Sequence, residues 1–189
     1  MQLLPFLRTQ VRANRLSNHR LHQALQQLDD AAYRAPRTSF FPSLAQTLDH
    51  ILLVDRYYLD CLQGKGDARE RALAHIATDT VAAWNQAQQA EDERFIGLLD
   101  ACTPDDLDRP VLMPRADRLQ QDRFGHVVAH LLAHQLHHRG QVHAMLAGTP
   151  ARPPQLDEFL MPSEAHLREA EMLAFGWSER EVYGPRPAS

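Results

Sequence analysis

The sequence predicts an all-α protein: a four-helix bundle with a short hairpin before its last helix and a helical C-terminal extension. Three observations predict it. Apolar residues recur at spacings of three and four along most of the chain, and four long stretches of that pattern are divided by segments bearing proline and glycine. In addition, 44% of the 189 residues are hydrophobic, enough for a chain of this length to close a core.

Leu7, Val11, Asn14, Asn18, Leu21, Leu25 and Leu28 share one helical face. They predict a first helix ending near Asp29, with Asn14 on its inner side. The prolines of "YRAPRTSFFPS" make a loop. Ser43 with Gln46 then forms a capping box opening a second helix, which runs to about Leu62, ahead of Gly64 and Gly66. Helical periodicity resumes from Asp67 to about Ala101 with a break near Thr78, and "NQAQQAEDER" within it reads as a solvated face. "TPDD" at 103–106 stops that helix, and "PVLMPRADRLQ" at 110–120 predicts a hairpin turning at "PRAD". A fourth long helix from about Asp122 to Ala147 is closed by Gly148 and Pro150. After it come an extended, proline-rich stretch, a short helix capped by Ser163 and reaching about Phe175, and another capped by Ser178 and Glu181. Residues 1–150 therefore read as the bundle, and 151–189 as an extension packing on the bundle or on a partner chain. There is no internal repeat and no low-complexity tract.

Charge narrows the function. A net charge of -4, a pI near 6.2 and no block of like charges leave no electrostatic footprint for nucleic acid or an anionic membrane. The apolar run "ILLVDRYYLDCL" carries Asp55, Arg56 and Asp60 and cannot span a bilayer, and the arginines of "MQLLPFLRTQVRANR" break any secretory core. Cys61 and Cys102 form no CxxC pair; a disulfide between them stays open, and a reducing cytoplasm fits at least as well.

The chemistry concentrates in "HLLAHQLHHRGQV", residues 130–142, with four histidines in nine positions. Residues four apart on a helix stand one above the other, so His134 and His138 present their rings side by side. His130 and His126 continue the row, but each step of four drifts by roughly 40°, so all four cannot face one point. His137 and His143 fall on other faces. A metal site in a bundle takes further ligands from a facing helix, and the second helix offers His50, on the stripe of Leu53, Val54, Tyr57 and Cys61. Alone, His50 reads as a core histidine hydrogen-bonded to a neighbour; opposite an HxxxH pair it reads as a third ligand. Three neutral imidazoles leave a coordination position open on a divalent cation, as catalytic sites do. HExxH is absent, because position 135 is Gln, which excludes a zincin. Gly140 in mid-helix costs roughly 1 kcal/mol relative to Ala and predicts a close neighbour there.

The segments "AHQLHHRGQVHAML", "RTSFFPSLAQTLDHILLVDRYYL" and "VRANRL" together closely resemble the DinB family of metalloproteins, in the DinB/YfiT-like superfamily, over roughly residues 1–160. The resemblance implies an up-down-down-up bundle, a metal triad at His50, His134 and His138, one divalent ion such as zinc or nickel, frequent homodimers and damage-inducible relatives. It also adds weight to a hydrogen-bonding role for Asn14. Members of the superfamily transfer low-molecular-weight thiols or act as hydrolases or isomerases, and the resemblance assigns no reaction to this branch.

Three functional classes follow. One is a metal-dependent enzyme, a thiol transferase or hydrolase, with Tyr57, Arg139 and Gln141 as pocket or supporting residues. The others are a metal-binding or stress-response protein without chemistry, and a helical interaction module. Cys61 lies about three turns from His50, too far for a nucleophile at that site. The tail "HLREAEMLAFGW" carries apolar surface for a homodimer contact or for the chain's own core. Because a metal must displace protons from imidazoles with ordinary pKa near 6.5, occupancy is expected to fall as pH drops through about 6 to 5.

Overall fold

The computed structural model describes residues 2–185. Four long helices form the bundle: α1 (Leu3–Leu25) and, after the short α2 (Asp30–Arg34), α3 (Leu44–Leu62), then, beyond the short α4 (Ala68–Leu73), α5 (Val81–Ala101) and α6 (Phe124–Leu146). Contacts between named residues give their directions. Arg8 near the start of α1 bonds backbone oxygens at the end of α5, whereas Arg15 further along pairs with Glu93, so these two run antiparallel. Gln88 reaches Asp55 and Arg94 reaches Asp60, which makes α3 and α5 parallel. The start of α6 packs with Leu59 and Leu62, while its end, at Met145 and Leu146, packs with Leu44 and Leu48. The order is up-down-down-up.

Parallel α3 and α5 require the connection to return the length of the bundle, and the break expected near Thr78 widens into that return. Only Ala68–Leu73 is helical there, and the chain unwinds before Thr80, whose hydroxyl accepts the Ala83 N–H at 3.1 Å to start α5. Asp49 on α3 pins the return, accepting from Thr78 N at 2.9 Å and lying 3.0 Å from His75 Nε2. The first helix also stops earlier than its periodicity suggests. Asp29 accepts the Ala32 N–H at 2.7 Å and restarts the chain as α2, while Leu28 still packs on the core.

The hairpin forms with the expected turn, β1 (Pro110–Pro114) pairing antiparallel with β2 (Leu119–Arg123), Leu112 opposite Gln121. Val111 and Met113 point into the core. Because β2 extends to Arg123, α6 begins at Phe124 rather than Asp122. Beyond the bundle, Pro162–Leu167 is a 3-10 turn rather than a helix capped by Ser163. The buried Arg168 just after it bonds the carbonyls of Glu158 and Met161 at 3.0 Å each, tying that turn down. Then α7 (Glu169–Phe175) ends at Gly176 with φ 64°, and α8 (Glu179–Tyr183) opens on the capping box of Ser178 and Glu181. Phe159, Met172 and Val182 pack against Ala13 and Leu16 of α1, and Arg20 pairs with Glu158 and Glu171.

Two apolar clusters fill the bundle, one around Leu7, Leu59, Phe95 and Leu131, the other around Leu25, Leu48, Trp84 and Val142. Between their levels in the sequence of each helix lie Asn14, Asn18, Asp55, Gln88, Asp92, Gln135 and Arg139, all buried. Gly140 departs from expectation: it is exposed, and a Cβ there meets nothing within 4 Å. No neighbour requires the glycine. Gly140→Ala is therefore expected to stabilise the fold by about 0.5–1 kcal/mol, read as a raised midpoint in urea with unchanged slope.

Candidate metal centre

The imidazoles of α3 and α6 meet. His50 Nε2 stands 3.0 Å from His134 Nε2, and the His138 ring lies 4.7 Å from that of His50 and 4.4 Å from that of His134. One nitrogen from each residue falls in a set whose members all lie within 4.8 Å of one another. The local cause is the i, i+4 spacing on α6, set against a helix whose Ser43 cap fixes the phase of His50. The ring of Phe41, in the loop before that cap, lies 4.4 Å from that of His50, tilted by 32°, and 5.6 Å from that of His138.

The donor chemistry fits a divalent ion. Two imidazole nitrogens sharing a tetrahedral zinc stand about 3.3 Å apart, close to the His50–His134 spacing, although a neutral pair can also satisfy that contact as an N–H···N bond. His134 Nδ1 is buried without a partner, so no second group fixes the tautomer of this ring. Gln141 Oε1 lies 2.8 Å from His138 Nδ1 and can accept its N–H, which leaves His138 Nε2 as the free lone pair. Among the described residues no carboxylate joins the set.

Burial also keeps the rings neutral. It pushes His134 down to about 3, with His138, His50, His130 and His137 adding to the effect. Burial lowers His50, seconded by His138, and lowers His138 against the opposing bond to Gln141. Depressed pKa values mean that protons compete for the lone pairs only below the ordinary histidine range. Acid release of a bound ion is therefore expected to begin later and run more gradually than three free imidazoles would give, extending below pH 5. Metal analysis after equilibration between pH 7 and 3 checks this; complete release by pH 6 would contradict it.

The other expected residues separate. Gln141 stands directly behind His138. Tyr57 lines a cavity of about 470 Å³ that has His134 in its wall, but its hydroxyl donates to Pro114 O at 2.8 Å and so holds the hairpin. Arg139 does not belong to this pocket. It is buried toward α1, bonding Asn14, Asn18 and Gln135, because at that position the helix turns its side chain into the bundle centre. His130 packs edge-on against Tyr58 at 5.1 Å, with its ring 6.5 Å from that of His134. Cys61 and Cys102 are both free, which closes the disulfide alternative, and burial pushes both thiols up, against a nucleophilic role. Two residues at the site carried no sequence signal of their own: Phe41 and Arg115. An aromatic close before a cap on the helix bearing His50 was the available hint for the first. For Arg115, only its place in the predicted turn was.

Among the described residues no helix is long and apolar enough to cross a membrane. The sequence profile of the DinB family matches residues 5–172. The chain is also 25% identical over 153 residues to Protein DinB of Bacillus subtilis (strain 168), spanning 76% of this chain and 87% of that protein.

Proposed function

The chain belongs to the DinB family, and from that premise we propose that it is a metal-dependent enzyme, a thiol transferase or hydrolase, holding one divalent ion, zinc or nickel, on His50, His134 and His138. The observation that carries this reading is the cavity beside the triad. A site that only stored metal would be saturated and closed, whereas His134 here forms part of the wall of a space of about 470 Å³, within the range of small-molecule pockets. A divalent ion on three neutral ligands supplies Lewis acidity, lowering the pKa of a thiol or water at its open position.

The chain's own residues do the rest. The rings of His50 and His138 meet edge to face 4.7 Å apart, and Gln141 fixes the tautomer of His138. Phe41 shields the triad from one side, and Leu53 and Val54 give the cavity an apolar floor. In the thiol reaction a sulfur would displace a leaving group from an electrophilic carbon, the thiol proton departing with that group; in hydrolysis, water would be added across the bond that breaks. The test is protein purified without a histidine tag, loaded with zinc or nickel and screened for transfer of small thiols to electrophiles and for ester and amide hydrolysis. Turnover that disappears on chelation and in His134→Ala supports the reading. Full metal loading with no turnover in either screen would leave the metal-binding protein without chemistry as the better account.

A further inference from the structure

The cavity beside the triad has a charge pattern that the metal site does not explain. Its wall contains two arginines, Arg69 from α4 and Arg115 from the hairpin turn, and no aspartate or glutamate. The chain carries a net charge of -4, and many of its other arginines, among them Arg12, Arg15, Arg20, Arg56 and Arg94, pair with acids. Among the described residues neither Arg69 nor Arg115 makes an ion pair within 4.0 Å.

Arg115 is nonetheless held in place. Its Nε donates to Gln120 Oε1 at 3.1 Å and its Nη2 to Tyr58 Oη at 3.1 Å. Its guanidinium carbon lies 5.3 Å from the centre of the Tyr57 ring and 5.6 Å from that of Tyr58. Tyr57 in turn clamps the hairpin through Pro114 O. A half-buried guanidinium, positioned by neutral partners and lacking a counter-ion, is preorganised to receive an anion, because its ordering cost is met before the ligand arrives. Leu53, Val54, Ala72 and Leu73 give the wall its apolar part, while Tyr58 and His130 form a chain of ring contacts from Arg115 toward His134.

We infer that this cavity binds a low-molecular-weight organic acid, with its anionic end on Arg115, seconded by Arg69, its apolar body along α3 and α4, and its reacting end at the histidine triad. The last of these assignments rests on the metal-site reading above; the first two stand without it. Arg115 is then the residue that selects an acid over its neutral counterpart. A carboxylate and a phosphate monoester offer the same chemistry to a guanidinium, so both belong in the test.

The experiment titrates 4-phenylbutyrate, 4-phenylbutyramide and phenyl phosphate into the full chain by calorimetry, metal-free and cobalt-loaded. In metal-free protein the acid is expected to bind at least tenfold more tightly than the amide. Arg115→Gln should abolish that preference, Arg115→Lys should restore part of it, and Arg69→Gln should reduce it less. Tighter binding of the phosphate than of the carboxylate assigns the source of the anion and keeps the subsite. Equal affinity for acid and amide, no binding of either anion, or a preference that survives Arg115→Gln in a protein with an unchanged melting profile overturns it. Failure of the metal reading shows separately, as absence of a cobalt spectrum or as thiol probes that leave it unchanged.

Discussion

His134→Ala abolishes stoichiometric binding of a divalent ion, whereas His137→Ala leaves it intact: that is the expected result, and the geometry makes the contrast sharp. His134 touches both other rings of the triad, with its Nε2 3.0 Å from that of His50 and its ring 4.4 Å from that of His138. Deleting it leaves two imidazoles on different helices, and affinity should drop by more than a hundredfold. His137 is exposed, and its Nε2 lies 3.3 Å from Gln141 Nε2, outside the cluster of donor atoms. Its loss touches the site only through Gln141. Gln141→Ala occupies the middle ground: it keeps all three ligands but frees the tautomer of His138, which should weaken binding about 10–100-fold. Competition against a chromophoric chelator, with metal content measured on tag-free protein, separates the three variants. Equal loss in His134→Ala and His137→Ala would sink the assignment.

What the sequence made legible, and what it did not, follows from the range of the interactions involved. The HxxxH pair is local, since helical periodicity alone places His134 and His138 on one face. His50 sits 84 positions before His134 and was legible because an imidazole interrupts an otherwise apolar stripe. Arg139 looked like a neighbour of the triad because it follows His138 directly, but one residue along a helix is a turn of roughly 100°, and that turn carries its guanidinium to α1. Gly140 marked no close approach, since nothing stands over it. Arg115 was not legible as part of a site, because a turn residue's reach depends on how the hairpin leans on α3, and the Tyr57 to Pro114 bond that sets this joins positions 57 residues apart. The early end of α1 and the unwound return before α5 share one cause: capping side chains and bonds to Asp49 outweigh weak helical periodicity over short stretches.

The second large effect lies in the bundle centre, where Arg139→Met is expected to destabilise the protein by about 3–5 kcal/mol, while Asp55→Asn changes stability by about 1 kcal/mol or less. Burial lowers the pKa of Arg139 to about 10, with Asp92 and Asp55 opposing the shift, so it stays charged at neutral pH. Its Nη1 serves the side-chain oxygens of Asn14, Asn18 and Gln135 together. A methionine there strands those oxygens and removes a counter-charge from Asp92, whose carboxyl burial has already pushed up to about 7. Asp55 behaves differently. Burial raises its carboxyl well above the usual range despite the bonds from Gln88 and Gln135, so burial favours its protonated form. Asp55 Oδ2 accepts both of those amide N–H groups, at 2.7 and 2.8 Å, while Asp55 Oδ1 and Gln88 Oε1 have no hydrogen-bond partner among the described residues. Asparagine keeps the accepting oxygen and brings no charge into the bundle centre. The sign with pH follows. A carboxyl whose folded pKa lies above its unfolded value contributes stability that is complete below about 4 and is lost as pH rises toward the folded pKa. Asp55→Asn removes that loss, so its stability relative to wild type should improve between pH 5 and pH 8. Urea unfolding of both variants at those two pH values checks the pair of effects. An Asp55→Asn cost equal to that of Arg139→Met, or one that grows with pH, would mean that Asp55 is ionised and paired in the folded protein.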